Sequence, residues 1–280
     1  MKPESIAALM KAARAHLAAS GIQSAALDAR LLLQAASGLA PEVLIADHEA
    51  TLPADAKARF DRFIIRRLNH EPVSRILGTR EFFGRSFKVT QAVLDPRADT
   101  ETLVQLALER GAGPCHFLDL GTGSGAIAVT LCAERQDFSG TATDLSPEAL
   151  VIAHENAVAL GAGPQLQFHQ GAWFEGLEEK FDLIISNPPY IQEGATLMPD
   201  VANYDPPLAL FGGPDGLATY RAIAKDAERF LTRDGQVMVE IGWGQAGDVK
   251  VIFETQGFIL SEQRSDLSGT PRAISFKVNS

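Results

Sequence analysis

Apolar side chains recur at helical spacing from the start of the chain: Ile6, Leu9, Met10, Ala13 and Leu17, with Ser20-Gly21 stopping the run. A second run carries Leu27, Leu31, Leu32 and Leu33 and closes at Ser37-Gly38. Pro41 opens a short third helix, and Pro53 opens a fourth containing Phe60, Phe63, Ile64 and Leu68. Short connections make neighbouring helices antiparallel, so residues 1–72 predict a small helical bundle, ended by Pro72. Between residues 73 and 94 the period changes. Ile76-Leu77-Gly78, Arg80-Glu81-Phe82-Phe83-Gly84 and Phe87-Lys88-Val89 put aromatic and β-branched residues around a glycine, which predicts a β-hairpin linking two domains.

Over residues 95–280 apolar strands alternate with helical stretches. Strand candidates are His116–Leu120, Thr141–Asp144, Leu166–His169, Phe181–Ser186, Val237–Ile241, Gly257–Ser261 and Ala273–Val278. Helical patterns fall between them, as in Pro147–Leu160 and Leu217–Leu231. Such alternation predicts an α/β fold, with parallel strands and crossover helices on both faces of one sheet. Only a loop, Glu262–Arg272, separates the last two strands, so that pair is expected to be antiparallel.

Composition narrows the class. With 280 residues, 46% hydrophobic and 21% charged, the chain is long and apolar enough for one large core and a small second domain. No apolar run approaches the roughly 18 residues needed to cross a bilayer. Glu4, Lys11, Arg14 and His16 interrupt the N-terminus, which therefore lacks the apolar centre of a signal peptide. Cys115 and Cys132 form no disulfide framework, and the histidines show no ligand spacing, so no metal is expected. The expected location is a reducing cytoplasm, without a membrane partner. Net charge is −10 but uneven: residues 1–92 hold 13 Lys+Arg against 9 Asp+Glu, and the remainder hold 12 against 26. The acidic larger part would repel a phosphate backbone, so no stable nucleic-acid binding is expected. Arg59, Arg62, Arg66, Arg67, Arg75, Arg80, Arg85 and Lys88 crowd the junction, as a solvated helix face or as a docking surface for an acidic or RNA-associated partner.

The segment Asp119-Leu120-Gly121-Thr122-Gly123-Ser124-Gly125 is a strand that turns into a helix through glycines. Glycine lets the backbone approach a ligand closely, and amides at the helix start favour electron-rich groups. About 20 residues on, the next strand ends at Asp144, whose carboxylate suits ribose hydroxyls. Gly121, Gly123 and Ala126 also satisfy the dinucleotide fingerprint, so the glycine loop alone does not separate a dehydrogenase from a methyltransferase.

Asn187-Pro188-Pro189-Tyr190, directly after Phe181–Ser186, separates them. Ligands of open α/β sheets lie beyond the carboxyl ends of the strands near the topological switch point, so this loop and the glycine loop should flank one crevice. An amide nitrogen is a poor nucleophile because its lone pair is delocalised into the carbonyl. The Asn187 side-chain carbonyl and the Pro188 backbone carbonyl are two acceptors for its hydrogens, holding the nitrogen in its reactive form. Proline stiffens the loop, and the Tyr190 ring offers a flat wall for a planar amide or base. A hydride-transfer enzyme has no use for such a loop. The plain alternative is a turn that only follows a strand.

These residues resemble class I methyltransferases that modify planar nitrogens. With Arg80–Gly84, Pro96-Arg97-Ala98-Asp99-Thr100-Glu101-Thr102-Leu103-Val104, Tyr204-Asp205-Pro206-Pro207-Leu208-Ala209-Leu210 and Asp266-Leu267-Ser268-Gly269, the chain resembles the PrmC (HemK) family over nearly its whole length. The resemblance implies a seven-stranded Rossmann-like sheet, a helical substrate-docking domain, and S-adenosyl-L-methionine as methyl donor, leaving S-adenosyl-L-homocysteine. It implies as substrate the glutamine of the Gly-Gly-Gln loop of class 1 peptide chain release factors. It also implies that Gly121, Thr122, Gly123, Ser124 and Gly125 hold the methionine part, Asp144 the ribose and Trp173 the adenine. Asp119 would orient the loop or the ligand's amino group. Asn187 would touch cofactor and substrate, and Pro188, Pro189 and Tyr190 would complete the glutamine pocket. Ala98 and Asp205 depart from residues common in the family. Arg97, Asp99 and Glu101 read either as helix capping, with Asp99 or Thr100 as N-cap, or as a lid. The rival activities are exocyclic-amine methylation of RNA or DNA and methylation of a ribosomal-protein glutamine.

Overall fold

Capping and glycine stops shape the helical part much as the pattern predicts. The computed structural model describes residues 4–110 and 113–279; Met1–Pro3, Gly111, Ala112 and Ser280, which fall within the expected domains, lie outside the described residues. Helix α1 (Ile6–Ala19) begins where the Ser5 side chain accepts from the Ala8 amide, and α2 (Ala25–Ser37) ends at Gly38 in the left-handed conformation. Next come α3 (Pro41–Ala46), α4 (Ala54–Leu68) and α5 (Val73–Leu77). Leu9, Leu17, Leu32, Leu33, Phe60, Ile64 and Ile76 form the core among them. Pro72 does not end the helical part. It is the residue before α5, where its missing N–H is harmless, and the helices continue to a left-handed Gly78.

The chain then forms a hairpin, β1 (Thr79–Phe82) and β2 (Arg85–Lys88), followed by α6 (Thr100–Leu108), β3 (Cys115–Leu120) and α7 (Ala126–Glu134). It continues through β4 (Phe138–Asp144), α8 (Pro147–Ala159), β5 (Leu166–Gln170) and β6 (Phe181–Ser186). Last come α9 (Pro199–Tyr204), α10 (Ala218–Ala227), β7 (Leu231–Glu240), α11 (Ala246–Thr255), β8 (Phe258–Ser265) and β9 (Pro271–Val278). Two compact units result: the described chain up to Gly78 together with Met198–Tyr204, and Thr79–Leu197 together with the chain from Asp205 on. The first unit thus ends at Gly78 rather than at 72, and the hairpin, expected as a linker, belongs to the second unit.

The larger unit holds one seven-stranded sheet in the order β5-β4-β3-β6-β7-β9-β8. Strands β3 to β7 pair in parallel, and β9 runs antiparallel to both β7 and β8, as expected for the final pair. The period of two along each strand sorts side chains onto two faces. Phe117, Leu183, Ile185 and Met238 join one core cluster, while Leu118, Ile184, Val237 and Val239 join the other. Phe82 and Phe87 of the hairpin are buried in the first of these clusters. Strands β4, β7 and β8 are longer than their apolar runs because ladder pairing extends into polar residues at their ends.

Several residues of the basic junction are ion-paired within their own unit. Arg67 is 6% exposed and reaches Asp28 (2.7 Å) and Asp200 (3.0 Å); Arg59 meets Asp55, Arg66 meets Glu71, Arg85 meets Glu134 and Lys88 meets Glu155. Arg67 is a structural side chain and not a solvated helix face. Among the described residues no helix is long and apolar enough to cross a membrane.

Asn156 ties the hairpin to the sheet unit. Its Oδ1 accepts from the Lys88 amide at 2.7 Å, and its Nδ2 donates to the carbonyls of Lys88 (3.0 Å) and Ser124 (2.8 Å). Asn156→Leu strands three backbone groups in a dry place, so unfolding monitored in urea should show a loss of about 2–4 kcal/mol. A change within 0.5 kcal/mol, roughly the level of a surface substitution, would show that the hairpin is held by its phenylalanines alone.

Candidate active site

The strand order reverses between β3 and β6. From β3 the chain winds outward to β4 and β5, and from β6 it winds the other way to β7, so their carboxyl ends open a crevice. Leu120 pairs with Ser186 across these two strands, and Ser186 Oγ donates to the Leu120 carbonyl at 2.7 Å. The next residue on each strand begins a candidate motif: Gly121 on one side, Asn187 on the other. Two segments over 60 residues apart in sequence are adjacent because their strands are neighbours.

The glycine loop is held from behind. Thr122 Oγ1 donates to Asp119 Oδ2 at 2.6 Å, and the Thr122 amide donates to the Thr143 carbonyl at 2.8 Å. Asp119 is fully buried, its Oδ1 has no hydrogen-bond partner among the described residues, and burial raises its carboxyl to about 7. Gly123 has φ +56, and a Cβ there would meet nothing within 4 Å: the loop fronts open space. At Gly125, φ is +79 and a Cβ would stand 3.2 Å from Ala153, so this glycine serves close packing instead.

At the end of β4, Asp144 Oδ2 accepts from the Gly123 amide and Oδ1 from the Ser146 amide, each at 2.9 Å. Burial moves this carboxyl upward, and the Ser146 and Gly123 amides oppose the shift by favouring the charged form. Asp144 therefore links the glycine loop to the start of α8 and still has lone pairs for a ligand. Trp173 has φ +52, unusual for a residue with a Cβ, and is half-buried against the core cluster that contains Phe174.

A cleft open to solvent, enclosing about 880 Å³ when its mouth is included, runs along these groups. Gly121, Gly123, Asp144, Trp173, Asn187 and Pro189 line it, with Leu94, Leu145, Pro206 and Leu208. Asp119, Thr122, Ser124, Gly125, Pro188 and Tyr190 are not lining residues; the first three are buried behind the loop. The lining suits the implied S-adenosylmethionine: an open glycine loop, an anionic acceptor 21 residues on, an aromatic ring and apolar walls.

The Asn187 loop is clamped at several atoms. Asn187 Nδ2 donates to Thr100 Oγ1 at 3.0 Å, Thr219 Oγ1 to the Pro189 carbonyl at 2.7 Å, and Gln245 Nε2 to the Tyr190 carbonyl at 3.0 Å. Tyr190 is half-buried against the core, and its hydroxyl lies 3.4 Å from Glu240 Oε1. Burial, with the Glu240 charge adding to it, pushes the Tyr190 phenol up. Sequence reasoning missed Thr100 as a partner of Asn187, and it missed Glu240, Thr219 and Gln245. Glu240 did leave a signal: a lone carboxylate inside the apolar run Val237–Ile241.

Charged residues just before α6 and in its first turn hold distant loops. Arg97 meets Asp205 at 2.6 Å, Asp99 meets Arg272 at 2.9 Å, and Glu101 Oε1 accepts from the Phe83 amide at 2.8 Å. Asp99 stands at the N-cap position of α6 but makes no side-chain cap bond, since Arg272 engages its carboxylate instead. Capping therefore does not explain it.

Comparison with known proteins supplies a family. The model of the PrmC N-terminal domain matches residues 8–78, and that of the methyltransferase small domain matches residues 98–204. A release factor glutamine methyltransferase of Cereibacter sphaeroides is 45% identical over 272 residues, covering 96% of this chain and 97% of the relative. Another, from Agrobacterium fabrum, is 42% identical over 280 residues, covering 97% of each. Among solved structures, a methyltransferase from Pyrococcus furiosus aligns with TM-score 0.54 at 18% identity, over 70% of this chain and 89% of that one. A ribosomal protein L11 methylase from Lactobacillus delbrueckii subsp. bulgaricus gives 0.51 at 21% identity, over 66% and 81%. At those identities the structures share the fold.

Asp144→Ala should weaken S-adenosylmethionine binding by about 1–3 kcal/mol, the usual cost of a hydrogen bond to a charged group. Isothermal titration calorimetry reads it, and an unchanged Kd would remove Asp144 from the site.

Proposed function

Because the chain belongs to the release factor glutamine methyltransferase family, we propose that it methylates the side-chain amide nitrogen of the glutamine in the Gly-Gly-Gln loop of class 1 release factors. The observation that supports this most is the orientation of Asn187. With Nδ2 committed to Thr100, the carbonyl oxygen Oδ1 is the end left for a ligand in the cleft that Asn187 lines.

Bound S-adenosylmethionine supplies a methyl carbon made electrophilic by its sulfonium. The chain's own residues hold both reactants. Asp144 and the Gly121–Gly125 loop bind the cofactor's nucleoside and methionine parts, and Trp173 covers the adenine. Asn187 Oδ1 and the Pro188 carbonyl each accept one amide hydrogen of the glutamine, which localises the nitrogen lone pair and stabilises charge developing there. The clamps on Pro189 and Tyr190 keep the two acceptors from drifting, because a loop hydrogen-bonded at successive residues has little freedom to lose. No side-chain base is required, since the proton leaves after the methyl has moved. Pro189 and Tyr190 complete the glutamine pocket, and the helical unit is the docking element for the rest of the release factor.

Asn187→Ala should lower methylation of a release factor by about 100-fold or more, the usual effect of removing one such stabilising group. Cofactor binding should stay measurable. Mass spectrometry of the factor checks it: a 14 Da gain on the same glutamine at wild-type rate would refute the acceptor mechanism. Removing residues 1–70 should depress kcat/KM for the intact factor far more than cofactor affinity, and equal turnover would show that the bundle does not dock it.

A further inference from the structure

The mechanism leaves the motif Tyr204-Asp205-Pro206-Pro207-Leu208-Ala209-Leu210 unused, and the fold divides it. Tyr204 belongs to the helical unit, and the residues from Asp205 on belong to the sheet unit. The chain leaves the Asn187 loop at Ile191 and returns at Phe211, where the two residues form a bridge. The Ile191 amide donates to the Leu210 carbonyl at 2.9 Å, and the Gly212 amide donates to the Ile191 carbonyl at 2.8 Å. Residues 192–209 are thus one excursion whose two ends are pinned just after Tyr190.

The tip of the excursion is α9, which has no buried residue of its own and is held by polar contacts. Asp200 Oδ2 pairs with Arg67 Nη1 at 3.0 Å, Asp200 Oδ1 lies 3.3 Å from His70 Nδ1, and Tyr204 Oη donates to the Asn69 carbonyl at 3.0 Å. These partners sit in the last turn of α4 and just beyond it. His70 has φ +63, a conformation that a residue with a Cβ keeps only where its surroundings hold it. One residue after Tyr204, the buried Asp205 meets Arg97 at 2.6 Å. Pro206, Leu208 and Ala209 then line the cleft. Pro206 and Pro207 have fixed φ, so the place of this wall follows from the residues that precede it.

We propose that Asp200 and Tyr204 are positioning residues: by fastening the tip to the end of α4, they set the wall of the cleft that Pro206, Leu208 and Ala209 form. The helical unit then shapes the pocket as well as docking a partner. Arg97 alone would hold the stretch at one carboxylate, about which the chain could pivot. A long excursion gains freedom when its tip is released, and near-attack geometry tolerates little displacement. The inference rests on the methyltransferase reading above and gives a role to a motif which that reading leaves idle.

The test uses the full chain with an intact class 1 release factor and saturating S-adenosylmethionine. Asp200→Ala combined with Tyr204→Phe removes the fastenings. Asp28 still pairs with Arg67 at 2.7 Å, so the helical core keeps its buried charge compensated. Hydrogen exchange should quicken in residues 192–210 and keep the wild-type rate in α1 and α2. The kcat should fall about tenfold, the effect of a modest misplacement in a site. KM for the factor should change less than about twofold, because docking itself is untouched. Asp200→Asn alone, which keeps an oxygen for Arg67, should retain most of kcat. A raised KM with wild-type kcat would show that α9 serves docking only, and overturns the proposal. Unchanged exchange in residues 192–210 overturns it too, and quickened exchange throughout α1 and α2 would reduce both residues to a structural role. If the wild-type chain left the factor unmethylated, the methyltransferase reading would fail instead, and the exchange result would alone decide whether the tip is fastened.

Discussion

The pairing of Leu120 with Ser186 is the constraint on which the rest of the site depends. Two parallel strands whose onward connections wind in opposite directions must leave their carboxyl ends uncovered, and a backbone turning away there exposes amides and carbonyls that need partners. One strand continues into glycines, which let a ligand approach the main chain. The other continues into Asn-Pro-Pro-Tyr, which presents oxygens at set positions. Because the strands are neighbours in one sheet, these two chemistries are a few ångströms apart without any loop having to reach for the other.

That adjacency would be of little use if the loops could move, and much of the buried polar structure prevents it. Asp119 holds the glycine loop through Thr122, Asp144 holds it through Gly123, and Thr100, Thr219 and Gln245 hold the asparagine loop. Such groups are costly to bury unless hydrogen-bonded, so their presence behind a cleft marks where geometry matters more than stability. Among the described residues, an oxygen of Asp119 and one of Glu240 have no hydrogen-bond partner there, and burial raises both carboxyls to about 7. Strained or unsatisfied groups concentrated behind a site are expected where position is what function needs.

A second set of charges acts at longer range in sequence. Arg97 to Asp205, Asp99 to Arg272 and Arg272 to Asp266 connect the segment before α6 with the segment that follows α9 and with the turn between β8 and β9. The Ser268 and Arg272 side chains hold the Asp266 carboxyl well below the usual range, and its Oδ1 also accepts from the Ser268 and Thr270 amides. Asp205 is buried, and Arg97 supplies a counter-charge to it there, so removing the cation weakens the compensation of a carboxylate in a dry place. Three motifs that look unrelated along the chain are one clamp around the cleft.

The sequence by itself determined the first four helices, the hairpin and the seven sheet strands, the α/β class, the antiparallel final pair and the two loops that meet at the cleft. Each of these depends on local periodicity or on residues with strong conformational preferences, such as the glycines after Leu120 and the prolines after Asn187. Tertiary structure decided the rest. Pro72 reads locally as a stop, yet it starts α5, because a missing N–H is as harmless before a helix as after one. The hairpin reads as a linker, yet Asn156 and two buried phenylalanines make it part of the sheet unit. Arg67 reads as a surface cation and is buried between carboxylates. Thr100 lies 87 residues before Asn187, and the hydrogen bond between them exists only because the start of α6 is folded against the end of β6. Periodicity records which face a residue takes, but not which partner waits on that face, and buried polar groups are defined by their partners.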